Sequence, residues 1–150
     1  MAAEADSLGV ECTRRPVFEE LEPEDCLELL ADEPLGHVAL TAHALPVVVP
    51  VNFAMIDGDI VWRSPEGTKQ SEGSGGFVVA FEADHYDLQQ TLGWSVMVQG
   101  LAHVMTDPDE LDRAKELPLE SWTLEGAADT YVRLVPNIVT GIRIRVPSLS

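Results

Sequence analysis

Positive charge is scarce in this chain. Nine Lys and Arg stand against 26 Asp and Glu in 150 residues, a formal net charge of −17. Nucleic-acid binding depends on cations that displace counterions from phosphates, so a nucleic-acid partner is not expected. Anionic membrane surfaces are disfavoured for the same reason. No apolar run approaches the roughly 18 residues that a spanning helix needs, which leaves no membrane segment. The opening stretch, MAAEADSLGVECTRR, lacks the apolar centre of a secretory leader, and a reduced, cytoplasmic setting is the expectation. Only two cysteines occur, Cys12 and Cys26, without CxxC or zinc-ligand spacing, so no metal site is expected. The GxSxG, HExxH and GxGxxG signatures of hydrolases, zinc proteases and dinucleotide folds are absent. His37, His43, His85 and His103 share no i, i+4 spacing. His85 lies near Asp84 and Asp87, which a solvated acidic loop explains better than a metal site.

A hydrophobic fraction of 45% in a chain of this length is enough for one globular domain. Residues 1–15, small and charged, read as a flexible N-terminal arm, and residues 16–150 as the domain. Its organising stretch is PVVVPVNFAMIDGDIVWRSPEGTK, Pro46 to Lys69. Val47, Val49, Val51 and Phe53 alternate with Val48, Pro50, Asn52 and Ala54, the period of a strand. Pro50 cannot donate to a ladder and so marks an edge or a bulge. Asp57-Gly58 is a two-residue hairpin turn, and Ile60-Val61-Trp62 returns as the next strand. Ser64-Pro65-Glu66-Gly67 fits a type I turn. Such a turn can aim successive amides at an anion, with Arg63, Lys69 and the hydroxyls of Ser64 and Thr68 completing the shell. Ordinary loop chemistry with two surface cations explains the same residues.

Around this stretch, Pro23 opens a helix that carries Cys26, Leu27, Leu29 and Leu30 on one face. His37 to Ala42 reads as a strand, turning near His43-Ala44. Phe77 to Glu82 is a short strand, Ala83 to Leu92 a polar loop, and Trp94 to Met105 a long central strand in which Gly100 marks a bulge or a close approach. Thr106 or Asp107 caps a second helix with Pro108 at its first position. Two strands, Thr130–Val135 and Ile138–Val146, follow around Pro136-Asn137. Leu119 to Gly126 reads as irregular, and the breaker-rich Gln70 to Gly76 is a poor helix former. The fold class is therefore mainly β: a six-stranded antiparallel barrel with flanking helices.

The order of these pieces resembles the pyridoxamine 5'-phosphate oxidase-like family of flavin-binding split barrels. The matching segments are PEDCLELLADEPLGHVAL, PVVVPVNFAM, DGDIVWRSPEGTK, FVVAFEAD, GWSVMVQGLAHVMTD and PNIVTGIRI. The chain looks closest to the short members described as nitroimidazole-resistance-like. The resemblance implies a split barrel, a homodimer, and FMN held between subunits for oxidoreduction of a small molecule. It places Val49, Pro50, Val51 and Asn52 along the isoalloxazine, Arg63, Ser64, Thr68 and Lys69 at the phosphate, and Trp94 and Ser95 beside the flavin. His37 stands where the family commonly has an Arg, and the substrate-binding Arg and His pattern of a pyridoxamine-phosphate oxidase is not evident. An F420-dependent reductase is an alternative, as is a non-catalytic dimeric barrel that binds flavin or haem weakly or not at all. Trp62, Trp94 and Trp122 read equally well as stacking partners or as packing mass.

Overall fold

The computed structural model describes residues 15–65, 76–120 and 129–147. The N-terminal arm up to residue 14, with Cys12, lies outside these residues. So do Thr68, Lys69, most of the Gln70 to Gly76 stretch, and Trp122.

Seven antiparallel strands and two helices occur among the described residues. In chain order they are β1 (Val17–Glu20), α1 (Pro23–Leu30), β2 (Leu35–Ala42), β3 (Leu45–Ile56), β4 (Asp59–Pro65), β5 (Phe77–Asp87), β6 (Leu92–Val104), α2 (Pro108–Lys115) and β7 (Asp129–Arg145). The sheet runs β1-β7-β4-β3-β2-β5-β6, and a further β6–β7 pairing closes β2 to β7 into a six-membered ring. The barrel expected from the strand pattern is thus present, with β1 added along β7. No helix among the described residues is long and apolar enough to cross a membrane.

Alternation fills the ring. Val79, Phe81 and Ala83 on β5 and Val96 and Val98 on β6 point inward, with Val38, Ile60, Val132 and Leu134. Phe53 meets Phe81 edge to face at 4.7 Å between ring centroids, a favoured aromatic geometry. Helix α1 closes one end by burying Cys26 and Leu30 completely. There Gly141 makes room for the helix: an added Cβ would lie 2.5 Å from the Cys26 sulfur. A second cluster sits outside the barrel, where α2 and the segment after it bring Ala114 and Leu119 onto Ile56, Val61 and Met105. Asp107 caps α2 by accepting from the Glu110 N–H at 3.1 Å. Arg133, 15% exposed, fixes the α2 junction with Nε on Asp59 at 2.7 Å and a terminal nitrogen on Glu110 at 2.8 Å.

Two-residue turns set the hairpins. Asp57 (φ 51°) and Gly58 (φ 84°) both sit in the left-handed region, as a type I′ turn requires. His43 and Ala44 do the same between β2 and β3 without a glycine.

Three expectations change. The stretch from Ala83 is not a loop: β5 continues to Asp87, because Ala83 is still buried and the β5–β6 register runs unbroken to Asp87↔Leu92. The turn comes later, where Asp87 Oδ1 accepts the Gln89 and Gln90 amides at 2.8 and 3.1 Å. The final two strands are one. Pro136-Asn137 is absorbed as a bulge, since Gln99 pairs with Ile138 while Gly100 pairs with Pro136, leaving Asn137 as the extra residue. Gly100 is needed there, because a Cβ would collide with the Val135 carbonyl oxygen. Finally, β4 runs past Trp62, with Ser64 and Pro65 as ladder residues opposite Thr130 and Asp129; the turn expected over Ser64–Gly67 lies partly outside the described residues.

Candidate functional site: the split between two strands

Strand β3 changes partner along its length. Leu45 to Asn52 pair with β2, and Phe53 to Ile56 pair with β4. Among the described residues, the first half of β3 therefore has a ladder on one side only. Strand β4 does the converse: up to Trp62 it pairs with β3, and Arg63 to Pro65 pair only with β7. The two strands part at Phe53 and Trp62, leaving a split flanked by the open edge of Leu45–Asn52 and the open edge of β4. Pro50 lies in that open half, consistent with an edge position for a residue without an N–H. An open edge presents alternating N–H donors and C=O acceptors, a donor set that fits a planar heterocycle with the same alternation.

Of the residues singled out in the sequence, Val49, Pro50, Val51 and Asn52 form this edge, and Arg63 and Ser64 stand across the split from it. Val51 is buried, Val49 and Pro50 are exposed, and Asn52 donates from Nδ2 to the Pro34 carbonyl at 3.0 Å, tying β3 to the start of β2. Neighbours on a strand face opposite ways. Ser64 is accordingly buried, while Arg63 turns to the α2 side. There its guanidinium lies 5.7 Å from the Tyr131 ring centroid and donates to the Leu119 carbonyl at 3.3 Å.

Trp94 and Ser95 are not gathered with these residues within one chain. Strand β6 is separated from β3 by β2 and β5. The two side chains also diverge. Trp94 shares the inward parity of Val96 and packs against the core near the barrel end, and Ser95 faces outward.

The outer face around Ser95 holds a group that the sequence reading passed over. Glu82 Oε1 accepts the Ser95 hydroxyl at 3.2 Å, and His37 Nδ1 lies 3.8 Å from its other oxygen. Partial burial, followed by a hydrogen bond with Asp84 and the charge of Asp84, pushes the Glu82 carboxyl up to about 7; the Ser95 bond pulls the other way. The signal in the sequence was the alternation Ala80, Glu82, Asp84 against Val79, Phe81, Ala83, which a loop reading of Ala83 onward cut short. His103 is half-buried and 3.8 Å from Glu110. No cluster of His, Cys, Asp and Glu able to hold a metal occurs among the described residues.

The family model of pyridoxamine 5'-phosphate oxidase matches residues 22–143. The chain belongs to the pyridoxamine 5'-phosphate oxidase-like family. The Mycobacterium tuberculosis protein Rv0080 is 41% identical over 130 residues, 83% of this chain and 84% of that protein. Among solved structures, the FAD binding protein of Mycobacterium smegmatis is 31% identical, covering 85% of this chain and 100% of its own, with a TM-score of 0.69. A Bacteroides thetaiotaomicron protein whose proposed role is 5-nitroimidazole antibiotic resistance shares the fold at 16% identity and a TM-score of 0.63, covering 87% of this chain and 89% of its own. The strands here form one antiparallel ring, with β1 along β7 and two flanking helices among the described residues.

Proposed function

We propose that this family member is a flavin-dependent oxidoreductase acting on a small molecule, with FMN seated in the split between β3 and β4. The observation that carries this reading is that, among the described residues, Leu45–Val51 pair on one side only, with β2, in a chain of this family. When bound, the flavin supplies two-electron chemistry. The chain's own residues bind and orient. Val49, Pro50, Val51 and Asn52 present the edge to the ring system. Ser64, with Thr68 and Lys69, holds the phosphate, and Arg63 adds positive potential from the far side of β4.

A second copy completes the site in this reading. The outer sheet face leaves Val48 65%, Val78 77% and Ile138 50% exposed, apolar side chains that a partner can cover. A homodimer formed through this face buries it and brings Ser95 and the Trp94 main chain of one copy toward the β3 edge of the other.

A visible absorbance spectrum of the purified chain, before and after FMN is added, is the test. Flavin bands that stay with the protein through gel filtration are expected. Lys69→Ala should weaken FMN binding at least about tenfold, the scale of one charge-assisted phosphate contact. Protein that remains colourless and leaves added FMN fluorescence unchanged would remove the proposal. FAD is the second reading, favoured by the 31% identity to a protein described as binding it. Parallel titrations with FMN and FAD decide between them.

A further inference from the structure

A cavity of about 640 Å³ opens at the barrel end near α1, on the far side of β6 from the outer sheet face. Its floor is Trp94, and Leu29 of α1 gives an apolar side. Strand register stands the key side chains in one row. Trp94 is paired with His85 on β5 and with Arg143 on β7, and Arg143 is paired in turn with Glu19 on β1. Arg145 lies two residues on, on the same face, opposite Leu92. The two arginines are therefore about 7 Å apart along the strand, close enough for both guanidiniums to reach one anion.

Cations are few in this chain, and two of the nine stand here side by side. Arg113 and Arg133 are committed to carboxylates. Arg143 and Arg145 make no ion pair or hydrogen bond among the described residues. Two carboxylates on the cavity compete: Glu19, in register with Arg143, and Asp87, in the row of Leu92 and Arg145, whose Oδ1 is held by two turn amides. An adjoining cleft adds Glu20, Glu22, Asp25, Glu28 and Asp32 beyond Arg143, so a ligand must gain from contacts at close range. A guanidinium offers a planar fork of donors that matches a carboxylate, and an indole face offers stacking area. The cavity volume lies within the range usual for small-molecule sites.

We propose that this cavity binds a planar aromatic carboxylate, with its ring on Trp94 and its carboxylate bridged by Arg143 and Arg145. The site is lined by one chain and lies on the face of β6 opposite the one that carries Ser95. His85 closes the opposite wall and Glu19 limits affinity.

The test is a titration of the full chain as purified, followed by 15N–1H NMR, with 2-naphthoate as probe and 2-naphthylmethanol as its neutral isostere. Naphthoate should move the Trp94 indole resonance and bind at least tenfold more tightly than the alcohol. Arg143→Gln with Arg145→Gln should weaken naphthoate at least tenfold, and Glu19→Gln should tighten it; each site is exposed, and an unchanged amide spectrum checks the fold. Equal binding of acid and alcohol, full affinity in the double arginine variant, or an unmoved Trp94 resonance at millimolar naphthoate would each overturn the site. FMN uptake measured on the same preparation reports separately on the split.

Discussion

Glu82→Gln isolates the proton that the outer sheet face retains. Glutamine is uncharged at every pH and has nearly the shape of the protonated acid. The wild-type carboxyl is raised from an ordinary value near 4.5 to about 7, chiefly by burial and then by Asp84. A raised carboxyl means that the folded chain binds more protons than the unfolded chain between those two values. Stability therefore falls as pH rises through that window. At about 1.36 kcal/mol per tenfold, the full displacement is worth at most roughly 3.4 kcal/mol. Glu82 keeps 35% of its side-chain surface exposed, and solvent screening lowers this to about 1–2 kcal/mol. Below pH 4.5 wild type and variant should be nearly equal. Above pH 7 the variant should be more stable by about 1–2 kcal/mol, roughly 2–8 °C in Tm for a chain of this size. Urea denaturation at fixed protein concentration across this pH range measures it, and the difference between the two proteins cancels the other carboxylates. A variant that is no more stable than wild type above neutrality would refute the assignment of a retained proton at Glu82.

Two further changes test the packing. Arg133→Met leaves Asp59 and Glu110, 17% and 24% exposed, without their common partner; a loss of about 3 kcal/mol is expected by denaturation, the scale for breaking a buried pair, and a loss below about 1 kcal/mol would show the network to be solvent-screened. Gly141→Ala places a methyl 2.5 Å from the Cys26 sulfur. It should cost about 1–3 kcal/mol and speed thiol labelling of Cys26 by loosening α1, whereas unchanged labelling would show that the helix adjusts without opening.

Much of the fold was legible because its signals are local. The Asp57-Gly58 turn, the Pro108 start of α2 and the alternation of β3 each specify backbone geometry within a few residues. The bulge at Asn137 was not, because Pro136-Asn137 has the composition of a turn, and only its pairing with Gly100 across the sheet turns it into a bulge. The candidate site was legible in part. Pro50 pointed to an edge or a bulge, and among the described residues it lies on an open edge. The neighbours of Arg63 were not, since Tyr131 and Leu119 are 68 and 56 residues away and reach it through the β4–β7 ladder and the segment after α2. The opposite facing of Trp94 and Ser95 follows from strand parity alone. Glu82 and the Arg143–Arg145 pair needed the third dimension: their significance lies in what stands beside them on neighbouring strands.

The most direct measurement is an FMN titration of the 15N-labelled chain, read as amide shifts along both strands. Shifts concentrated at residues 47–52 of β3 and 62–64 of β4 are what a flavin in the split requires. Saturating FMN that leaves those amides in place, whether or not it binds elsewhere, would contradict the account.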